Sequence, residues 1–149
     1  GEDYIYETIT DPITKDKTNI RYHGTILVLE LDKDGGLVDY HKIFKSQSSD
    51  YFGGYDVLYT NDKLSILFND LKYNEDVETM NDVTPTANTL IMNVYVVEIH
   101  DGEVTKSRLT GDVWKNNIMI PKRCFTIDNE LYIYAENGQK KTIAKLRAE

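Results

Sequence analysis

The stretch TNDKLSILFND, residues 60–70, decides the fold. Its Asn61-Asp62 pair tolerates the positive φ angles of a two-residue hairpin turn. Behind the turn Leu64, Ile66 and Phe68 alternate with the period of a strand. The same order of turn and strand returns at 126–137 as TIDNELYIYAEN, with Asp128-Asn129 at the turn and Leu131 and Ile133 behind it, and more faintly at 2–8 as EDYIYET. A shift of 67 residues carries Leu64 onto Leu131, Ile66 onto Ile133 and Asp34-Gly35 onto Asp101-Gly102.

Working outward, nearly every apolar segment is short, rich in Val, Ile, Tyr and Phe, and bounded by Gly, Asn or Asp. That is the signature of strands. The expected strands are Tyr4 to Ile9, Thr25 to Leu31, Leu37 to Phe44, Tyr55 to Tyr59, Leu64 to Asn69, Leu90 to Ile99, Val104 to Leu109, Asn117 to Thr126, Leu131 to Ala135 and Lys141 to Leu146. The last could instead form a short helix, because IAKLRAE contains good helix formers. Asp34-Gly35-Gly36, Asp101-Gly102 and Asn137-Gly138 supply further hairpin turns, and the spacing leaves no room for crossover helices. The chain is expected to be all-β and antiparallel.

Setting aside the polar excursion Leu71 to Asn88 shortens the repeat to about 49 residues, within the range of a four-stranded propeller blade. In that frame the chain holds strands two to four of one unit, a complete second unit and strands one to three of a third, with units at about 1–50, 51–116 and 117–149. The pattern strand-LDKDGGLV-strand (Leu31 to Val38), then DVLYTNDKLSILFND (Asp56 to Asp70), then VYVVEIHDGEV (Val94 to Val104), resembles the propeller-like repeats of secreted or periplasmic bacterial proteins. The resemblance implies a β-propeller-like array, or a partial propeller, and a cell-envelope setting. It carries no catalytic residues across: there is no WD dipeptide, kelch Gly-Gly pair or Asp-box. Propellers close with four or more blades, so a single all-β domain of this length is expected to be part of a longer chain, or to cover its open edges in another way. The alternative fold is one antiparallel sandwich or barrel of eight to ten strands.

Composition narrows the function further. A chain of 149 residues and 17.2 kDa, 40% hydrophobic and 28% charged, is that of a globular domain. Its net charge of −8 excludes nucleic acid and anionic surfaces as partners, because phosphate recognition requires clustered Lys and Arg. The longest apolar runs, Ile26 to Leu29 and Val94 to Val97, fall far short of the roughly 20 residues of a membrane-spanning helix. The single cysteine, Cys124, has no partner for an intrachain disulfide and reads as a small buried residue.

No motif for catalysis, metal or cofactor survives inspection. The acidic run NEDVETMND (Asn74 to Asp82) lacks the glycine of a calcium loop and reads as a solvated loop; Asp32, Asp34 and Asp39 belong to a hairpin turn. Glu30 and Glu98 interrupt apolar strands at equivalent points, which period-2 alternation explains without a glycosidase pair. His23, His41 and His100 show no ligand spacing, and Ser46, Ser48 and Ser49 lie in no nucleophile elbow. The more suggestive residues are aromatic. Tyr51, Phe52 and Tyr55 flank Gly53-Gly54 in a connection that would ring the mouth of a propeller, with Asn69, Asp70 and Asn74 on the same rim and Trp114 in the corresponding connection of the next unit. These seven are the candidate ligand-binding residues. The expected function is a non-enzymatic binding or scaffold module recognising protein or carbohydrate through loop faces. Two alternatives stand beside it: a segment of a propeller-type glycoside hydrolase or lyase with catalytic residues partly elsewhere, and a structural repeat that self-associates through open sheet edges.

Overall fold

The computed structural model of the chain describes residues 1–85 and 91–147. Its regular elements there are eleven antiparallel strands and isolated 3-10 turns, so the chain is all-β. The first sheet contains β1 (Glu2–Thr10), β2 (Lys17–Leu31) and β3 (Leu37–Ile43) in that order. The second is a four-stranded meander of β4 (Asp56–Thr60), β5 (Lys63–Leu71), β6 (Met92–His100) and β7 (Glu103–Arg108). The third holds β8 (Ile118–Met119), β9 (Phe125–Ile127), β10 (Glu130–Glu136) and β11 (Lys141–Arg147). None closes on itself, so the chain is three open sheets in series and not one barrel or two-layered sandwich.

The middle sheet is covered on both sides, which explains why its central strand reads ILF with little alternation. Successive side chains of a strand point to opposite faces, and here both faces are dry. Ile66, Phe68, Tyr95 and Val97 pack on Ile26 and Ile43 of the first sheet. Leu67, Val94 and Val96, with Leu58, pack on Met119, Leu131 and Ile133 of the third. Burying each of these Val, Leu, Ile and Phe side chains contributes roughly 1.5–3 kcal/mol, and the two clusters are what hold the sheets in a stack.

Turn chemistry places the ends of the sheets as expected. Asn61, Asp62, Asp101, Asp128 and Asn129 all adopt positive φ, the αL conformation that Asn and Asp tolerate best. Lys141 to Leu146 forms β11 and not a helix: Thr142, Ala144 and Leu146 turn inward while Lys141, Ile143 and Lys145 stay exposed, the period of a strand.

Three boundaries differ from the sequence expectation. β2 is 15 residues long, and its first ten pair with β1. This ribbon stands in solvent with both faces exposed over most of its length, so KTNIRYHG carries none of the alternation that marks a half-buried strand. The expected strand Asn117 to Thr126 is broken. β8 and β9 line the same edge of β10, and the three-residue 3-10 turn Pro121–Arg123 is looped out between them, shifting their registers by three. Proline has no N–H for the ladder, which forces the interruption at that residue. The break leaves Cys124 half-buried against the second cluster and not enclosed within a strand. The excursion after β5 contains the 3-10 turns Lys72–Asn74 and Met80–Asp82; the expected strand start at Leu90 lies outside the described residues, and β6 begins at Met92.

Candidate functional site

Each sheet has a loop end and a turn end. At the loop end lie the connections 44–55 and 109–117 and the start of the excursion that follows β5. At the turn end lie the tight turns 32–36, 61–62, 101–102 and 128–129.

The loop end is occupied by a buried polar network. Asn69 is fully buried on β5, where its Nδ2 donates to the carbonyls of Phe52 (2.8 Å) and Met119 (2.7 Å) and its Oδ1 accepts the Met119 N–H (2.8 Å). One side chain thus ties the middle sheet to the 44–55 connection and to β8. Gln47, also fully buried, donates from Nε2 to the Asn69 carbonyl (2.6 Å), and its Oε1 accepts from the Gly54 N–H and from the Lys45 ammonium. Lys45 in turn pairs with Glu2, whose other oxygen meets Nδ1 of His23 at 2.9 Å. Burial pushes the Lys45 ammonium below its ordinary range, and Glu2 opposes that shift. Nε2 of His23 lies 3.1 Å from Asp50, and this contact holds the exposed Asp50 carboxyl low.

A second buried group sits beside the first. Asp70 accepts from Asn74 Nδ2 (2.6 Å), from the Leu71 N–H (2.9 Å) and from Lys106 (3.3 Å). Desolvation pushes its carboxyl up, while Asn74 and Lys106 pull it down. Asn74 also fastens the long excursion, donating to the Thr84 carbonyl and accepting the Thr84 N–H.

The seven sequence candidates therefore separate. Asn69, Asp70 and Asn74 share one end as expected, but they are completely buried and turned inward, with no face to present to a ligand. Phe52 is buried among Leu71, Met92, Ile118 and Ile120, and Tyr55 packs on the first cluster. Gly53-Gly54 serves the close approach of the 44–55 connection: a Cβ on Gly53 would lie 2.1 Å from the Ser49 carbonyl, and Gly54 has φ +95°. Tyr51 is half-exposed; its hydroxyl donates to Glu136, and the Arg123 guanidinium lies over its ring and that of Tyr134. Trp114 lies half-buried against the second cluster and lines a separate open groove with Asn93, Arg108 and Lys115. The aromatic rim is not continuous.

One open concavity at the turn end, between the first two sheets, is not marked by the sequence. Beside the first cluster, residues of the first two sheets line a cleft of about 460 Å³. Val28, Leu64 and Ile99 are the half-buried outer edge of the first cluster and line it. Cross-strand register sets Tyr59, Leu64 and Ile99 in one row. Glu30 from the first sheet and Asp62 and Asp101 from the turns of the second stand around the cleft, with His41 paired opposite Val28. The Tyr59 hydroxyl donates to Asp62 at 3.2 Å. Nε2 of His41 is buried without a hydrogen-bond partner; the Asp39 carboxylate is 3.7 Å away. The signal for Asp62 and Asp101 was present but ambiguous, since a turn residue chosen for αL backbone looks the same as one chosen for its charge. Glu98 does not join Glu30: it pairs with Lys63 at 2.8 Å and lines a different groove. Among the described residues, no group of three or more His, Cys, Asp or Glu side chains is placed to hold a metal ion, and no helix is long and apolar enough to cross a membrane.

No family model matches the chain, and no curated protein or solved structure is significantly similar to it.

Proposed function

We propose that the protein is a non-catalytic binding or scaffold module built as a stretch of a propeller-like array, acting at a bacterial cell envelope. The observation that carries this is the contrast between the sheets. The middle one is covered twice, whereas each outer one leaves its far face bare: Leu27, Leu29, Val38 and Tyr40 on the first, and Phe125, Ile127 and Ile143 on the third, all between 38% and 61% exposed. Exposed apolar side chains gathered on one face of a sheet suit an interaction surface, and a run of stacked sheets bares such faces at its two ends. A three-stranded sheet followed by two four-stranded ones, each antiparallel and built from consecutive strands, supports a propeller-like array. The envelope setting rests on the resemblance of the repeat pattern to secreted and periplasmic proteins.

The binding role rests on the turn-end cleft. Its carboxylates, Glu30, Asp62 and Asp101, are solvent-exposed, whereas the general acid of a glycosidase needs a desolvated site. At the loop end Lys45, Gln47, Asn69, Asp70 and Asn74 are already hydrogen-bonded within the protein. Peptide and glycan arrays, followed by chemical-shift mapping of any ligand found, test this role. Perturbations centred on Tyr59, Leu64 and Asp101 are expected, and turnover of a glycan by the pure protein would refute the non-catalytic assignment.

A further inference from the structure

Resting on the binding role just proposed, we infer that the turn-end cleft recognises an extended basic segment of a partner protein, anchored by a Lys or Arg side chain. The cleft offers two kinds of surface in the order such a side chain needs. Val28, Leu64 and Ile99 supply an apolar floor continuous with the core, against which a methylene stem can lie. Glu30, Asp62 and Asp101 stand around the cleft and meet the charged head.

Charge complementarity selects the occupant. The ten lining residues include three carboxylates and no Lys or Arg. In the adjoining groove Lys63 is held by Glu98, and His100 lies 3.2 Å from the Asp101 carboxylate. An anionic ligand would therefore meet uncompensated repulsion, and a neutral one would leave the carboxylates unused. Tyr59 adds a third element: with its hydroxyl committed to Asp62, its largely exposed ring is free to stack against a guanidinium or ammonium. Both sheets that form the cleft are present in this chain, so recognition here needs no further unit.

The test is fluorescence anisotropy with a labelled peptide alternating Lys and Val, compared with the same peptide acetylated at every lysine and with a neutral oligosaccharide. The expected result is binding of the unmodified peptide that weakens with salt and is lost on acetylation. Glu30→Gln, Asp62→Asn and Asp101→Asn together should weaken it about 10-fold or more, each exposed pair being worth a few-fold. Asp76→Asn, Glu78→Gln and Asp112→Asn, the same change of net charge elsewhere on the surface, should alter it less than 2-fold. All six positions are exposed, and circular dichroism verifies folding. Equal loss in both triple variants, or undiminished binding of the acetylated peptide, overturns the inference. Binding of the oligosaccharide in the cleft without the peptide also overturns it while leaving the module role intact. That role falls separately if neither array yields a ligand.

Discussion

Replacing Asn69 with Leu keeps the volume of the side chain and removes all of its hydrogen bonds. Three backbone groups are then left in a dry interior: the carbonyls of Phe52 and Met119 and the N–H of Met119. Each buried orphan costs about 1–3 kcal/mol. Because the three are neighbours their effects overlap, so a total of about 3–6 kcal/mol is expected, which is a large share of the roughly 5–15 kcal/mol that stabilises an ordinary domain. Urea unfolding followed by circular dichroism reads this directly. With a slope of about 2 kcal/mol/M, the midpoint should fall by roughly 1.5–3 M. Asn69→Asp should be at least as damaging, since it turns an oxygen toward two carbonyls that need a donor. A midpoint lowered by less than about 0.5 M in Asn69→Leu would refute the claim that this side chain joins the sheets.

Gly53→Ala should destabilise the protein by several kcal/mol, read by the same titration, because the new Cβ meets a carbonyl oxygen and the His23 ring at 2.5 Å, both held in place. Gly138→Ala, at φ +87° but with open space around it, should lose only about 1 kcal/mol. The Cys124 thiol, pushed up to about 12 by burial, should resist alkylation by iodoacetamide at pH 8 in the folded protein and react promptly in urea; fast native labelling would contradict its placement. Asp70 gives a pH signature. Its folded carboxyl titrates above the unfolded value of about 3.9, so its contribution to stability is fully present below that pH and is lost as pH rises through the higher folded value. The urea midpoint of Asp70→Asn relative to wild type should therefore change between pH 4 and pH 7, and a constant difference would show that Asp70 is not desolvated.

Much of the architecture was legible because its causes are local. Turn pairs such as Asn61-Asp62 and Asp128-Asn129 fix hairpins through their own φ preferences, and Leu64 to Phe68 announces a strand. What escaped was set by distant contacts. Residues 17–24 form a strand only because β1 pairs with them. Asn69, Asp70 and Asn74 looked like a polar rim because sequence shows a side chain's chemistry and not its direction; once turned inward, the same groups become fasteners. The cleft was invisible for a related reason. Its residues come from both sheets, and a sequence does not show which strands of separate sheets will face each other.

Every strand among the described residues pairs with one that is close to it in sequence, and the sheets stack in chain order. Synthesis order is therefore stacking order. The first sheet can be complete while the second is still being translated, and its inner face then serves as the surface on which Ile66, Phe68, Tyr95 and Val97 collect. Apart from the long excursion between β5 and β6, the hairpin loops closed in this sequence are short, the condition under which β proteins fold quickly and expose few intermediates to aggregation. Asn69 on β5 waits for Met119 of the third sheet, 50 residues further along, so the bond that joins the sheets is also a late one to form.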